Sequence, residues 1–250
     1  MPIIGFGTWQ LEGGTARSAV SDALELGYRH IDTASVYRNE SDVGRAIADS
    51  GIARGDLFLT TKLPGNASNV RATMAKSLSN LGVDYVDLWL IHWPPAQSYE
   101  PATQSSQDLY EQMLVLRDEG AARAIGVSNY SAEEIDDLIA ATSDSPEVDQ
   151  IAWSPFRYDA PVQSALDARQ IVLEGYSPLA MSRLEDPILM EIAASRGVTT
   201  AQAVLRWHVQ RGVAVIPKSA HRERIRENFD VFGFALTGED MDRLDALGPS

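Results

Sequence analysis

YRHID (residues 28–32), LFLTTK (57–62) and VDLWLIH (86–92) are the three stretches whose reading decides the fold. Each is a short apolar run of strand character, and each closes on a reactive side chain. Those side chains are Asp32, Lys62 and His92, thirty positions apart. An acid, a base and an imidazole at the carboxyl ends of successive strands is the pattern of a (β/α)8 barrel, whose strands all point one way and whose chemistry collects where they end. Tyr37 adds a fourth reactive group in the loop that leaves the first of these strands.

Outward from this repeat, strand and helix signals alternate along the whole chain. Strands are expected at 3–7, 28–32, 57–62, 86–92, 123–127, 149–153, 171–176 and 213–217, with helical spacing between them, as at 16–27 and 70–82. Ser131 with Glu134, and Thr199 with Gln202, have capping-box spacing. Gly27, Gly82, Gly120, Gly197 and Gly212 stand where helices should stop. Eight strands alternating with helices predict a parallel sheet, and the count favours closure into a single TIM barrel spanning residues 1–250 as one α/β domain. A chain of 250 residues has the ordinary length for that fold.

Composition removes other classes. A net charge of −14 opposes nucleic acid or an anionic membrane as the main partner. No apolar run approaches the roughly 20 residues of a membrane span, and MPIIGFGTWQ lacks the regions of a signal peptide. There is no Cys, so disulfides and thiolate metal sites are excluded. A cytoplasmic, monomeric protein without a metal site is the expectation.

Strand alternation predicts that Tyr28, His30 and Asp32 share one face, as do Phe58, Thr60 and Lys62, and Leu88, Leu90 and His92. If these faces line the barrel interior, Asp32, Lys62 and His92 meet at its top. Lys62 beside Asp32 should keep both ionised and should lower the pKa of the Tyr37 phenol toward neutrality. Tyr37 could then hand a proton to a carbonyl oxygen and take it back in reverse. A buried Lys–Asp pair that only locks strand ends is the plainer alternative for any one of these residues; four together at this face favour catalysis.

Later strands carry a second polar set: Ser128, Asn129, Gln150, Tyr176 and Ser177. Hydroxyls and amides there suit a carboxamide, and Tyr176 suits a flat ring, although Ser-Asn after a strand is also ordinary turn chemistry. The third set, KSAHRERIREN (218–228), holds Lys218, Arg222, Arg224 and Arg226, with Glu223 the only acid among positions 218–226. Barrels bind phosphate in this region, where helix-terminal N–H groups and arginine forks suit it. GVAVIPKS (212–219) is not a P-loop, because Pro217 has no N–H to offer a phosphate. No G-x-G-x-x-G or H-E-x-x-H motif occurs either.

GFGTW (5–9), GYRHIDTASVYRNESDVG (27–44), LIHWP (90–94), IGVSN (125–129) and IPKS…RIREN (216–228) together resemble the aldo-keto reductases over nearly the whole chain. Within the family, the chain looks similar to the bacterial members that reduce small dicarbonyls and sugar-derived ketones. The resemblance implies a TIM barrel that binds NADP(H) without a Rossmann domain and reduces a small carbonyl substrate. Asp32, Tyr37, Lys62 and His92 match the family tetrad, with Tyr37 as proton donor, Lys62 lowering its pKa, Asp32 holding Lys62 and His92 orienting the carbonyl. Ser128, Asn129 and Gln150 match nicotinamide carboxamide contacts, and Tyr176, followed by Ser177, matches the stacking aromatic. Lys218, Ser219 and Arg224 match a 2′-phosphate grip, with Glu227 and Asn228 at the adenine. Trp9 and Trp93 match pocket walls, and His30 reads as interior packing.

Departures from the family pattern are expected at the amino terminus, where little room is left for a floor-plugging β-hairpin, and at the carboxyl terminus, where the substrate-covering loop is truncated. SPLAMSRLEDP after Tyr176 is short. Gln150, Ala152, Ser154 and Pro155 stand where relatives often carry Gln-x-Glu-x-His-Pro. A non-catalytic, cofactor-sensing subunit on the same fold, like the β-subunits of some potassium channels, is the alternative function.

Overall fold

In the computed structural model, which describes residues 1–98 and 100–249, eight strands form one parallel sheet in chain order. They are β1 (Phe6–Gly7), β2 (His30–Asp32), β3 (Phe58–Leu63), β4 (Val86–Ile91), β5 (Ala122–Ser128), β6 (Val148–Ala152), β7 (Val172–Tyr176) and β8 (Ala214–Ile216). The sheet closes on itself where Ile4 bridges Val215 in parallel, and Gly5 N and Gly7 N donate to Val215 O and Pro217 O. A Cβ on Gly7 would lie 2.9 Å from Ile216 O, so glycine is what lets β1 approach β8. Among the described residues no strand precedes β1; residues 3–5 make the closing contacts with Val215, and Ile4 joins the core.

Helices follow every strand: α1 (Gly13–Glu25), α2 (Glu40–Ser50), α3 (Val70–Leu81), α4 (Ser106–Asp118), α5 (Ala132–Thr142), α6 (Ala160–Ala168), α7 (Pro187–Arg196), α8 (Thr200–Gln210), α9 (Arg222–Phe229) and α10 (Gly238–Asp245). Both expected capping boxes form, at Ser131/Glu134 and Thr199/Gln202, and two more occur at Ser105/Asp108 and Thr237/Asp240. All five glycines expected at helix ends have positive φ. Among the described residues no helix is long and apolar enough to cross a membrane.

The core has two compartments. The larger lies between sheet and helices and takes the outward-facing residues of the strands, such as Ile31, Leu59, Trp89, Ile125 and Leu173. The smaller fills the lower lumen with Leu88, Leu90 and Val148, against Phe58 and Ala124. Tyr28 departs from the expected alternation. Regular strand begins only at His30, so Tyr28 packs outward between Phe6 and Phe229, and its hydroxyl donates to Ile225 O of α9. Above the apolar plug, the lumen turns polar.

Candidate active site

The strand register stacks the polar residues at the upper end of the lumen. Asp32 pairs laterally with Thr60, so Lys62 stands two residues higher on β3 and its chain bends back toward Asp32. Lys62 Nζ donates to Asp32 Oδ1 at 2.6 Å, to Oδ2 at 2.7 Å and to Thr33 O at 3.0 Å. Both side chains are buried. Burial alone drags the Lys62 pKa down; Asp32, Tyr37 and Glu174 more than restore it, leaving it above the ordinary value.

Tyr37 and His92 lean over this pair. Lys62 Nζ lies 5.2 Å from the centre of the Tyr37 ring, and the Tyr37 and His92 rings meet edge to face at 5.5 Å. The Tyr37 pKa is raised rather than lowered: burial is the largest influence, Asp32 adds to it, and Lys62 opposes without cancelling them. This corrects the expectation of a phenol near neutrality. Tyr37 therefore stays protonated through the neutral range, with the Lys62 ammonium beside its ring. His92 is pushed down to about 3 by burial and by Lys62, so its imidazole is neutral and has one N–H to offer.

The loop bearing Tyr37 is held at several points. Ser35 Oγ donates to Lys62 O at 2.9 Å. Asn39, fully buried, accepts from Thr33 Oγ1 at 2.9 Å and donates to Thr8 O at 2.9 Å and Leu11 O at 2.8 Å, tying the Tyr37 loop to the segment that carries Trp9. Glu40 accepts from Thr61 Oγ1 and Asn80 Nδ2. Trp93 is set by Gly65, where a Cβ would lie 2.3 Å from Trp93 O. Trp9 and Trp93 are 50% and 37% exposed and Val36 is 49% exposed, which makes an apolar, open rim.

The second polar set forms one chain of hydrogen bonds. Tyr176 Oη donates to Asn129 Oδ1 at 2.8 Å; Asn129 Nδ2 donates to Ser128 Oγ and His92 O; Ser128 Oγ donates to Gln150 O at 2.7 Å. Asn129 and Ser177 both have positive φ, turning the chain sharply past β5 and β7. Gln150 reaches across the lumen: its Nε2 donates to Asp32 Oδ2 and to Glu174 Oε2, each at 2.8 Å. Its side-chain oxygen accepts no hydrogen bond among the described residues.

The basic segment divides. Arg222 is occupied, pairing with Asp22 and with Glu25 of α1. Arg224 is exposed and pairs with no carboxylate among the described residues. Lys218 is exposed, Ser219 Oγ accepts from His221 N at 3.1 Å, and Asn228 is buried. Glu227 accepts from Thr199 Oγ1 at 2.5 Å, linking α9 to the start of α8. An unpaired guanidinium at the α9 N-terminus, an open Gln150 oxygen and the half-buried Tyr176 face match the phosphate, carboxamide and ring of a nicotinamide dinucleotide. The residues fit that group.

Sequence reading passed over Glu174, Asn39 and Thr33. The signal available for Glu174 was an acid inside an apolar run, IVLEGY, two residues before Tyr176 and therefore on the same inward face.

The model of the Aldo/keto reductase family matches residues 3–249. An aldo-keto reductase of Mycolicibacterium smegmatis is 44% identical over 99% of this chain and 90% of its own length. One of Mycobacterium tuberculosis is 46% identical over 99% of this chain and 87% of its length. Among solved structures, an aldo/keto reductase from Brucella melitensis superposes with a TM-score of 0.91 at 43% identity, covering 99% of this chain and 94% of that one. An aldo-keto reductase from Bombyx mori, solved in complex with NADP, gives 0.92 at 34% identity, covering 99% and 89%.

Proposed function

The chain belongs to the aldo/keto reductase family of oxidoreductases, and on that premise we propose that it reduces small aldehydes and ketones to alcohols with NADPH. The observation that carries this reading is the meeting of an ion-paired lysine, a protonated tyrosine and a neutral histidine at the carboxyl end of the barrel. NADPH, when bound, supplies the hydride that reduces the carbonyl carbon.

The residues of the chain do the rest. His92 donates an N–H to the substrate oxygen and orients it. Tyr37 gives that oxygen its phenolic proton as negative charge develops there. Lys62 stabilises the phenolate that remains, and Asp32 holds Lys62 charged and in place. Solvent then returns the proton to Tyr37. Gln150, Asn129 and Ser128 hold the cofactor carboxamide, Tyr176 and Ser177 flank its ring, and Lys218, Ser219 and Arg224 hold its 2′-phosphate, with Glu227 and Asn228 at the adenine. Trp9 and Trp93 wall the substrate. The reading extends to one barrel domain over residues 1–250 acting as a cytoplasmic monomer.

The test is a spectrophotometric screen of NADPH loss across α-dicarbonyls, aromatic aldehydes and simple ketones, with size-exclusion chromatography for the oligomeric state. Cofactor binding with no turnover on any carbonyl would instead support a sensing subunit.

A further inference from the structure

Beneath the tetrad lies a second buried carboxyl group that the reduction does not use. Glu174, on β7, is wholly enclosed. Its Oε2 accepts from Gln150 Nε2, and the same nitrogen donates to Asp32 Oδ2, the partner of Lys62. Its Oε1 has no hydrogen-bond partner among the described residues and lies 3.5 Å from His30 Nε2.

The groups that face Glu174 are His30 and Asp32 on β2, Lys62 on β3 and Gln150 on β6, with the amino-terminal ammonium acting at longer range. Its neighbour β8 offers Ala214, Val215 and Ile216, none of them charged. Burial pushes His30 down to about 3, so it brings no charge near neutrality. Burial and Asp32 push Glu174 up to about 7, with Gln150 and Lys62 opposing.

Two features follow from the geometry. The Gln150 amide spends its NH2 on two carboxyl groups; reversing it would set its oxygen against the Asp32 carboxylate, and against Glu174 as well once that group is ionised. Glu174 thereby sets which end of Gln150 remains for a ligand. In addition, an ionised Glu174 is a second anion beside Lys62, and it weakens the field that Lys62 exerts on Tyr37.

We propose that Glu174 is a positioning residue: through Gln150 it fixes the amide orientation at the cofactor site, and its carboxyl adds or withholds one negative charge beside the Asp32–Lys62 pair. The catalytic half of this inference rests on the reductase reading; the link to Gln150 does not.

The experiment begins with the apoprotein. The side-chain amide resonances of Gln150, assigned by their loss in Gln150→Met, are followed by NMR against pH in wild type and Glu174→Gln. The expected result is a titration near pH 7 in wild type that is absent in Glu174→Gln. In turnover assays, wild-type kcat should fall about tenfold as pH rises through this range, and Glu174→Gln should be flat. Glu174→Leu, which removes the acceptor, should raise the Kd for NADPH about tenfold.

Amide resonances that fail to titrate, or that titrate alike in Glu174→Gln, overturn the proposal. So does an active wild type whose kcat profile matches that of Glu174→Gln. If the resonances behave as expected but wild type reduces no carbonyl, the reductase reading fails while the Gln150–Glu174 link stands.

Discussion

Lys62 Nζ holds both carboxylate oxygens of Asp32, at 2.6 and 2.7 Å, and both side chains are buried. Removing one partner of such a pair leaves the other charged and unsolvated. Lys62→Met should therefore destabilise the fold by about 3–5 kcal/mol, as well as abolish turnover at neutral pH. Adding Asp32→Asn should recover part of the stability without recovering activity. Urea unfolding of the single and double variants checks this, and additive losses would show that the pair is not coupled.

Tyr37→Phe removes the phenolic proton and no contact with the cofactor site. Turnover should fall to near background while the Kd for NADPH stays within about twofold of wild type. Fluorescence titration with NADPH, beside the kinetic assay, separates the two. Near-normal turnover would end the proton-donor assignment. Because the Tyr37 pKa is raised, reduction should not lose its acid through the neutral range.

Arg222 and Arg224 are two residues apart on α9, yet they should behave differently. Arg222 is neutralised by Asp22 and Glu25; Arg224 has no such partner among the described residues. Arg224→Ala should weaken NADPH about tenfold or more and change NADH little, since a charge-assisted contact is worth about 1.5–3 kcal/mol. Arg222→Ala should leave the NADPH/NADH ratio unchanged and cost only a little stability. Equal losses of both cofactors in Arg224→Ala would assign the arginine to the pyrophosphate or to stability.

What sequence alone makes legible follows from what periodicity reports. Alternation identifies which residues face inward, so Asp32, Lys62 and His92 can be placed at one end of a barrel. It does not report how dry that end is, and dryness sets the sign of the Tyr37 shift. Nor does it report partners from elsewhere in the chain: Arg222 and Asp22 lie 200 positions apart, so the basic segment reads as more charged than it is. Asn39 looks like a loop residue because its acceptors, Thr8 and Leu11, belong to another loop. Alternation also fails at Tyr28, because regular strand starts two residues later.

Histidines kept neutral by burial make stability depend on pH. His208 is pushed down to about 4; burial is the main cause, partly offset by its contacts with Val204 O and Trp153 O. The unfolded chain takes up a proton at His208 below its ordinary value of about 6.5, whereas the folded one does not. The contribution is therefore constant above that value and is lost as pH falls toward about 4, by up to about 1.4 kcal/mol per pH unit. Glu174 acts in the opposite sense, because its raised pKa makes the folded state bind a proton first. Comparing wild type with His208→Gln isolates the histidine: the difference in unfolding free energy should slope with pH between about 6.5 and 4. A difference independent of pH would show that His208 takes up its proton as readily in the fold as in the unfolded chain.

Substrate range follows from the rim. Trp9, Val36 and Trp93 are all at least a third exposed, and they offer apolar area with few polar groups to match a particular substrate. An apolar wall discriminates weakly, by about 10- to 200-fold for a small change in shape. Catalytic efficiencies across α-dicarbonyls and aromatic aldehydes should therefore spread over a few decades, without a single preferred compound. Trp93→Ala should reduce kcat/KM for aromatic aldehydes about tenfold and affect small dicarbonyls less, because only the former cover the indole. One substrate exceeding all others by about 10⁴-fold would require buried polar groups matched to it, which this rim does not supply.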